Sequence, residues 1–244
     1  MAINVNTVYT TVLSILNKEQ RGYLTPDEFN KLATQAQLEI FESYFEELNQ
    51  QLRIPQADTE YADRQKNIDS KLSIFKTFGN CTPPSTGIDY FTVPTTLHKI
   101  GTVIYNDEIE VERVQKNDLI YINLSPLTKP TRNFPIYTYE NAAPGDANPK
   151  IYVYPRSITS DISVSYIRKP ADVVWSYTGL GGIPWVSGPY IYSPTNSVDF
   201  ELDASEQTNV ILKILLYAGV IIDSPEIIQI AAQKSQAEEI NSKN

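Results

Sequence analysis

Apolar residues recur at helical spacing near the N-terminus of the chain. A predicted helix over residues 6–17 has a broad apolar stripe, formed by Val8, Val12 and Ile15 with Tyr9, Leu13 and Leu16 beside them. A narrower apolar stripe predicts a third, more polar helix over residues 58–75.

The stretch "TPDEF" predicts the start of a long second helix between these two. Thr25 is the predicted N-cap, Pro26 the first helical residue, and Glu28 completes a capping box. Apolar residues then follow at steps of three and four to about Leu52. We expect this helix to pack on the first one.

Alternation of apolar and polar residues replaces the helical spacing between residues 88 and 168. Short segments rich in β-branched and aromatic residues lie between turn signals, so we predict strands. The stretch "PTTLHKI" instead predicts a short helical turn, with His98 near its end. The predicted strand segments are "DYFTVP", "GTVIYN", "EIEVERV", "FPIYTYE", "KIYVYP" and "DISVSYIRKP".

Residues 170–197 show no assignable period and hold both tryptophans of the chain. A loop of this length is either functional or contains an additional hairpin. Because exposed aromatic loops often anchor partners, Trp175, Trp185 and Tyr190 are the predicted subunit or partner contacts. The alternative is that these side chains fold back onto the β region of their own subunit.

Helical spacing returns near the C-terminus. Asp203 or Ser205 caps a helix with a wide apolar face, and Ser224 with Pro225 starts a last helix. The predicted fold class is α+β, with a helical bundle from the N- and C-terminal helices and a β-rich antiparallel central region. The predicted divisions are a helical region 1–78, a β-rich region 79–202 with a Trp/Gly/Pro loop at 170–197, and C-terminal helices 203–244 packing on the N-terminal ones.

Composition argues against several kinds of chemistry. The chain has one cysteine, Cys81, and one histidine, His98, so a disulfide, a thiolate metal site and a histidine constellation are not expected. There is no G-x-S-x-G nucleophile motif, and the glycine-rich "TGLGG" lacks the Lys-Ser/Thr of a phosphate loop. The longest apolar run, residues 210–222, is shorter than the roughly 20 residues that span a bilayer. We expect no catalytic residues, no cofactor, no metal and no membrane partner, hence a protein that is not an enzyme.

The stretch "LNKEQRGYLTPDEF" has the outline of a calcium-binding EF-hand loop. With Gly22 as its sixth residue, Arg21 occupies the fifth, ligating position. A guanidinium accepts no bond from a metal, and Glu28 already has a role in the capping box. The stretch therefore predicts a turn between two helices and no calcium site.

The net charge and the tyrosine content indicate which kinds of partner the protein can contact. The net charge of −9 repels phosphate, so any contact with DNA should be passive. The 16 tyrosines suit half-wet surfaces between subunits, although an ordinary β-rich composition accounts for them equally well.

The order of these elements resembles virion structural proteins of short-tailed double-stranded DNA phages, and is most similar to ring, or head-to-tail connector, proteins of crAss-like phages. The stretches that carry this resemblance are "LTPDEFNKLATQAQLEIFESYFEEL", "YFTVPTTLHKIGTVIYN", "PIYTYENAAP", "KIYVYPRSITSDISVSYIRKP" and "SVDFELDASEQTNVILKILLYAGVIID".

The resemblance implies a ring of about twelve copies, assembled in the host cytoplasm and located in the neck and tail region of the virion. Its expected partners are further copies of itself, the portal protein and adjacent tail or ring proteins, with genomic DNA passing through the lumen. A negatively charged wall would let DNA slide without sticking. The alternative reading is a tail-associated receptor- or carbohydrate-binding module, because Trp and Tyr in loops also stack on sugars.

Overall fold

The computed structural model describes residues 2–18, 24–53, 59–85, 88–141, 149–178, 190–221, 229, 233 and 236. These residues divide into two units. The helical unit comprises the described residues up to Ile74 together with those from Pro170 onward, and the sheet unit runs from Phe75 to Lys169. The segment 170–202, which the sequence analysis grouped with the β-rich region, therefore belongs to the helical unit.

The described helices are α1 (Val5–Lys18), α2 (Pro26–Arg53), α3 (Thr59–Ser73), α4 (Lys116–Leu124) and α5 (Gln207–Ile221). The first three confirm the predicted N-terminal helices to within two residues at either end. The helix predicted from Ser224 lies outside the described residues, except that positions 229, 233 and 236 are helical. Of the described helices, none is long and apolar enough to cross a membrane.

The capping box at the start of α2 is confirmed. Glu28 Oε2 accepts hydrogen bonds from the Thr25 hydroxyl at 2.6 Å and from the Thr25 backbone N–H at 2.9 Å. The Glu28 backbone N–H donates in return to Thr25 Oγ1 at 3.3 Å. These bonds from Thr25 lower the pKa of Glu28, so its carboxylate stays charged beside the positive end of the helix dipole.

The predicted apolar stripe of α1 is confirmed except at Ile15. Val5, Val8, Val12 and Leu16 are completely buried, at steps of three and four along the helix. Ile15, which the sequence analysis placed in the stripe, is 36% exposed and lies at its margin.

Asp203 is confirmed as a cap before α5. Its carboxylate accepts a hydrogen bond from the Ser205 N–H at 2.9 Å and starts a 3-10 turn, Ala204–Glu206, that leads into the helix. Val210 and Ile214 are completely buried on α5, which contacts both α1 and α2. The predicted buried face of this helix is confirmed at these positions.

The described strands are β1 (Lys76–Asn80), β2 (Phe91–Thr92), β3 (Leu97–Tyr105), β4 (Ile109–Arg113), β5 (Ile136–Glu140), β6 (Lys150–Tyr154), β7 (Ile162–Arg168), β8 (Tyr177–Thr178) and β9 (Ile191–Tyr192). The first seven form one sheet in the order β1-β7-β3-β4-β5-β6-β2. The predicted α+β class is confirmed, but the purely antiparallel arrangement is wrong, because β4 and β5 run parallel. A parallel pair needs a long crossover, and residues 114–135, which contain α4, supply it.

One face of this sheet forms the core of the sheet unit. Val103 of β3, Val111 of β4 and Val164 of β7 are buried and stand opposite one another across the strands. Phe91 and Ile151, paired between β2 and β6, are also buried in this core. The alternation predicted for β7 is confirmed on this face.

Two local predictions in the sheet unit differ from the structure. The sequence analysis placed residues 76–78 in the helical region, whereas they belong to β1. A Cβ added to Gly79 of this strand would lie 3.2 Å from the Tyr166 ring. A larger residue would press on that ring, so the glycine permits close strand packing. His98 lies in β3 and not in a helical turn, because pairing of β3 with β7 begins already at Leu97.

Candidate functional site

Trp175 is the predicted contact residue whose surroundings are best defined. Its side chain is only 3% exposed, and its ring packs at 4.2 Å, centroid to centroid, on Tyr9 of α1. The indole Nε1–H donates to Asn6 Oδ1 at 3.0 Å. Asn30 of α2 binds the same residue from the other side: its Oδ1 accepts from the Trp175 backbone N–H at 2.7 Å, and its Nδ2 donates to the Trp175 carbonyl at 3.3 Å.

A polar stripe on α2 holds the segment that ends in Trp175. Thr34 Oγ1 accepts from the Val173 N–H at 3.1 Å, and Gln37 Nε2 donates to the Ala171 carbonyl at 2.7 Å. With Asn30, these side chains follow each other at steps of three and four on the helix, while their partners alternate along the extended segment. The seven helical residues from Asn30 to Gln37 advance about 10.5 Å, and the four extended residues from 171 to 175 advance about 13 Å. The two spacings are close enough for a hydrogen bond at each step, so α2 binds this segment much as a neighbouring strand would.

Three tyrosine rings continue outward from Trp175 on the β8–β9 pair. Tyr177 and Tyr192 stack against the indole at 6.0 and 5.8 Å, and Tyr190 meets Tyr177 edge-to-face at 4.7 Å. Tyr190 is 40% exposed, so this row of rings runs from the interior to the surface. The antiparallel β8–β9 pair confirms the additional-hairpin alternative for the 170–197 stretch as far as its two strands are described.

The three predicted contact residues thus have different positions. Trp175 is buried in its own chain, against Tyr9 of α1 and against the Tyr177 and Tyr192 rings of the β8–β9 pair, and its contact with a partner stays a prediction. Tyr190 has an exposed edge, and its contact with a partner stays a prediction. Trp185 lies outside the described residues.

The most exposed apolar side chains lie elsewhere, in the β4–β5 crossover, residues 114–135. None of the nine residues of α4 is buried, and its N-cap residue Gln115 makes no capping hydrogen bond through its side chain. Ile120, Tyr121 and Leu124 lie on one side of this helix, being one, three or four residues apart. The large exposed apolar residues of the crossover are Ile120 (64%), Tyr121 (74%), Leu124 (75%), Leu127 (94%) and Phe134 (78%).

Hydrogen bonds order the rest of the crossover. The Lys129 N–H donates to the Ser125 carbonyl at 3.0 Å, and the Phe134 N–H donates to the Thr131 carbonyl at 3.2 Å. At the start of α4, Lys116 Nζ pairs with Glu140 Oε2 of β5 at 2.5 Å. The exposed apolar groups therefore project from a folded segment.

Sequence reasoning missed this segment, although a signal was available. The stretch "NDLIYINLSPL" is apolar but fits neither a strand alternation nor a stripe that could reach a core. An apolar stretch with no inward-facing period is typical of a surface that another molecule covers.

Arginine–tyrosine packing accounts for part of the tyrosine excess. The Arg156 guanidinium carbon lies 4.5 Å from the ring centre of Tyr154 and 5.5 Å from that of Tyr152, and Tyr90 meets Tyr152 edge-to-face at 5.7 Å. The Arg156 guanidinium also donates to the Asp89 carbonyl. Cation–π contacts of this kind stabilise one face of the sheet unit and involve no reaction.

A polar cavity of about 340 Å³ lies at one edge of the sheet unit. Asp107 and Asp161 line it with Cys81, and both carboxylates accept hydrogen bonds from serine hydroxyls. Burial raises the pKa of Cys81 to about 11, so its thiol stays protonated near neutral pH and is a poor nucleophile. In the described part of the chain, no three His, Cys, Asp or Glu side chains come together as a metal site.

The calcium loop considered from the sequence is described only in part. Arg21 and Gly22 lie outside the described residues, and Glu28 is bound to Thr25 as the capping box requires. Comparisons of the chain with protein-family models and with curated proteins give no match. The surfaces of the two units are therefore the basis for a functional proposal.

Proposed function

We propose that this protein is a structural virion component that forms an oligomeric ring in the head-to-tail connector of a tailed phage, bridging portal and tail and lining the DNA passage. The observation that carries this proposal is α4, a nine-residue helix that buries none of its side chains in its own chain.

A helix of this kind needs a partner for energetic reasons. Isolated helices shorter than about 12–15 residues are marginal in water, and most helices in proteins are stabilised by packing an apolar face. A buried aromatic ring removes about 150–250 Å² from water, so Tyr121 and Phe134, at 74% and 78% exposure, leave on the order of 300 Å² uncovered. The aliphatic side chains of the crossover add to this area, whereas the largest apolar patch of a typical monomer is about 300–600 Å². Such a surface favours a permanent protein contact.

The net charge supports the role in the connector. At −9, the chain repels DNA and does not provide the basic surface that nucleic-acid binding needs. A ring of such subunits would carry an acidic lumen through which DNA passes without being retained. The resemblance to ring and connector proteins supplies the ring geometry and the partners: further copies, the portal protein and adjacent tail proteins.

The proposal includes a bundle of the N- and C-terminal helices as the rigid part of each subunit. Contacts of α5 with α1 and α2 support it. Lys213 Nζ of α5 pairs with Glu39 Oε1 of α2 at 2.8 Å, and the Tyr217 hydroxyl donates to Glu39 Oε2 at the same distance.

Electron microscopy of the purified protein, with light scattering, tests the ring. Wild type should form rings, alone or after addition of portal. Tyr121→Ser with Leu124→Ser should remove the rings and leave the far-UV circular dichroism unchanged, because these side chains are exposed. Ile15→Ser, an exposed apolar residue of α1, is the matched control and should keep the rings.

A wild type that forms no ring and does not join portal would contradict the proposal. If that protein instead bound glycans on an array and Tyr190→Ala removed the binding, a tail-associated receptor- or carbohydrate-binding module would replace it.

A further inference from the structure

The sheet unit presents a second face that follows from strand register, on which Phe78 is exposed and Ser163 is buried. Phe78 of β1 stands opposite Ser165 of β7, and Ser163, two residues away on the same side, stands opposite Ile104 of β3. Ile104 in turn stands opposite Glu110 of β4. These side chains share one face across β1-β7-β3-β4, named here the outer face, on the side opposite the buried valines.

On the β1–β7 side the outer face is mixed, because Phe78 and Ile167 lie there with Lys76, Asn80 and the serines of β7, and on the β4 side it is acidic. Phe78 is 54% exposed, and Ile104 and Ile167 are half-buried. Glu110 and Glu112 are exposed on β4, and within the described part of the chain neither forms a salt bridge. Lys76 and Lys99 lie on the same face. Lys76 is on β1, the strand farthest from β4, and Lys99 is on β3, five residues before Ile104, which is the residue that stands opposite Glu110, so the β4 side keeps its negative charge.

The crossover has the complementary character. Three basic residues and one acidic residue give the crossover a net charge of +2. Because the whole chain has a net charge of −9, the rest of the chain has a net charge of −11. These four residues are Lys116, Asp118, Lys129 and Arg132. Exposed apolar side chains lie between these charged residues in sequence. The crossover is therefore basic and apolar, and it complements the exposed Phe78 and the acidic β4 side of the outer face.

We infer that the crossover of one copy docks on the outer face of the next copy in the ring; this interface rests on the proposed function. The dimensions agree. A nine-residue helix is about 13–14 Å long. The three inter-strand spacings from β4 to β1 cover about 14 Å. α4 can therefore lie across the outer face, with Lys129 or Arg132 near Glu110 and Glu112.

Charge explains why a second copy is the occupant. Copies of a protein with a net charge of −9 repel one another, so association needs a local contact between opposite charges. The crossover and the outer face provide that contact within the same unit of every copy. Because they are different surfaces, each copy can bind one neighbour through its crossover and another through its outer face, and this head-to-tail arrangement generates a ring where the rotation between copies closes.

Charge reversal tests the pairing. Lys129→Glu with Arg132→Glu should convert rings to monomers, and so should Glu110→Lys with Glu112→Lys. The chain with all four changes should recover rings, which a folding defect would not do. Rings that persist in both two-site variants would overturn the inference, as would a four-site variant that stays monomeric although circular dichroism shows it folded.

A cross-link locates the contact. Tyr121→Cys and Phe78→Cys, both at exposed sites, are mixed as separate proteins and treated with a short bis-maleimide; wild type, whose Cys81 is buried, is the background control. A covalent dimer of the two variants is expected, many times more abundant than with Ile15→Cys in place of Phe78→Cys. Wild-type rings without this cross-link would overturn the interface and leave the ring proposal standing. Absence of wild-type rings, alone and with portal, would overturn both.

Discussion

Replacement of Trp175 distinguishes a structural role of this residue from a role in partner contact. Its indole is 3% exposed, packs on Tyr9 and donates to Asn6. Removal of a buried Trp or Phe side chain typically costs about 3–5 kcal/mol, through lost burial and the cavity left behind. We therefore expect Trp175→Ala to lower the free energy of unfolding of the helical unit by about that amount.

Two further variants separate the contributions. Trp175→Phe keeps a ring on Tyr9 but loses the hydrogen bond to Asn6, so the loss should be about 1–2 kcal/mol. A double-mutant cycle of Trp175→Phe with Asn6→Ala should give a coupling energy of about 1 kcal/mol for that bond. Tyr190→Ala is the matched surface control; it removes one edge-to-face contact and should cost about 1 kcal/mol.

Urea unfolding followed by far-UV circular dichroism measures these differences, provided that the slope of free energy against urea is unchanged. Sedimentation velocity of each folded variant measures assembly. If Trp175→Ala changed stability by less than about 1 kcal/mol yet abolished assembly, the indole would be a contact side chain and the reasoning from its burial would be refuted.

Three other predictions concern the helical unit. Thr25→Ala should lower stability by about 1 kcal/mol in the same urea assay, because α2 loses its capping box, and should raise the pKa of Glu28 in an NMR titration. Burial raises the pKa of Glu39, but the hydrogen bonds from Lys213 and Tyr217 outweigh burial and lower this pKa below its usual 4.5. The stabilisation from the charged carboxylate is complete above pH 4.5 and is lost as pH falls through the pKa of the folded protein. The free energy of unfolding of Glu39→Gln should therefore depend less on pH below about 4.5 than that of wild type. Gln37→Leu should cost about 2–5 kcal/mol in thermal or urea unfolding, since backbone groups at residues 171 and 201 each lose a hydrogen-bond partner; a loss below about 1 kcal/mol would contradict that reasoning.

The sequence correctly predicted those helices whose start or buried face depends only on residues within the same segment. The capping box needs only Thr25 and Glu28 three residues apart, and α2 begins there. The buried stripe of α5 follows from apolar spacing within the helix itself. Such features are local in sequence, so a single sequence is sufficient to find them.

The parts that were missed depend on residues far apart in sequence. Asn30, Thr34 and Gln37 look like an ordinary solvated side of α2 until the segment 171–175 lies beside them with a similar spacing. The burial of Trp175 could not be predicted from its own segment, because its hydrogen-bond partners Asn30 and Asn6 are more than 140 residues away in sequence. The parallel pairing of β4 with β5 is equally non-local, since strand direction depends on the path of the crossover.

The crossover is the strongest reason to place assembly in the sheet unit. The helix that connects parallel strands normally covers the sheet and contributes to its core. Here none of its residues is fully buried, Leu119 and Ile122 are only partly covered, and every described large apolar side chain that is more than 60% exposed lies in residues 114–135. Leaving Leu127 at 94% exposure forgoes burial that is usually worth about 1.5–3 kcal/mol. A partner that covers Leu127 recovers this stabilisation on assembly, so the segment that weakens the isolated subunit is the one expected to stabilise the ring.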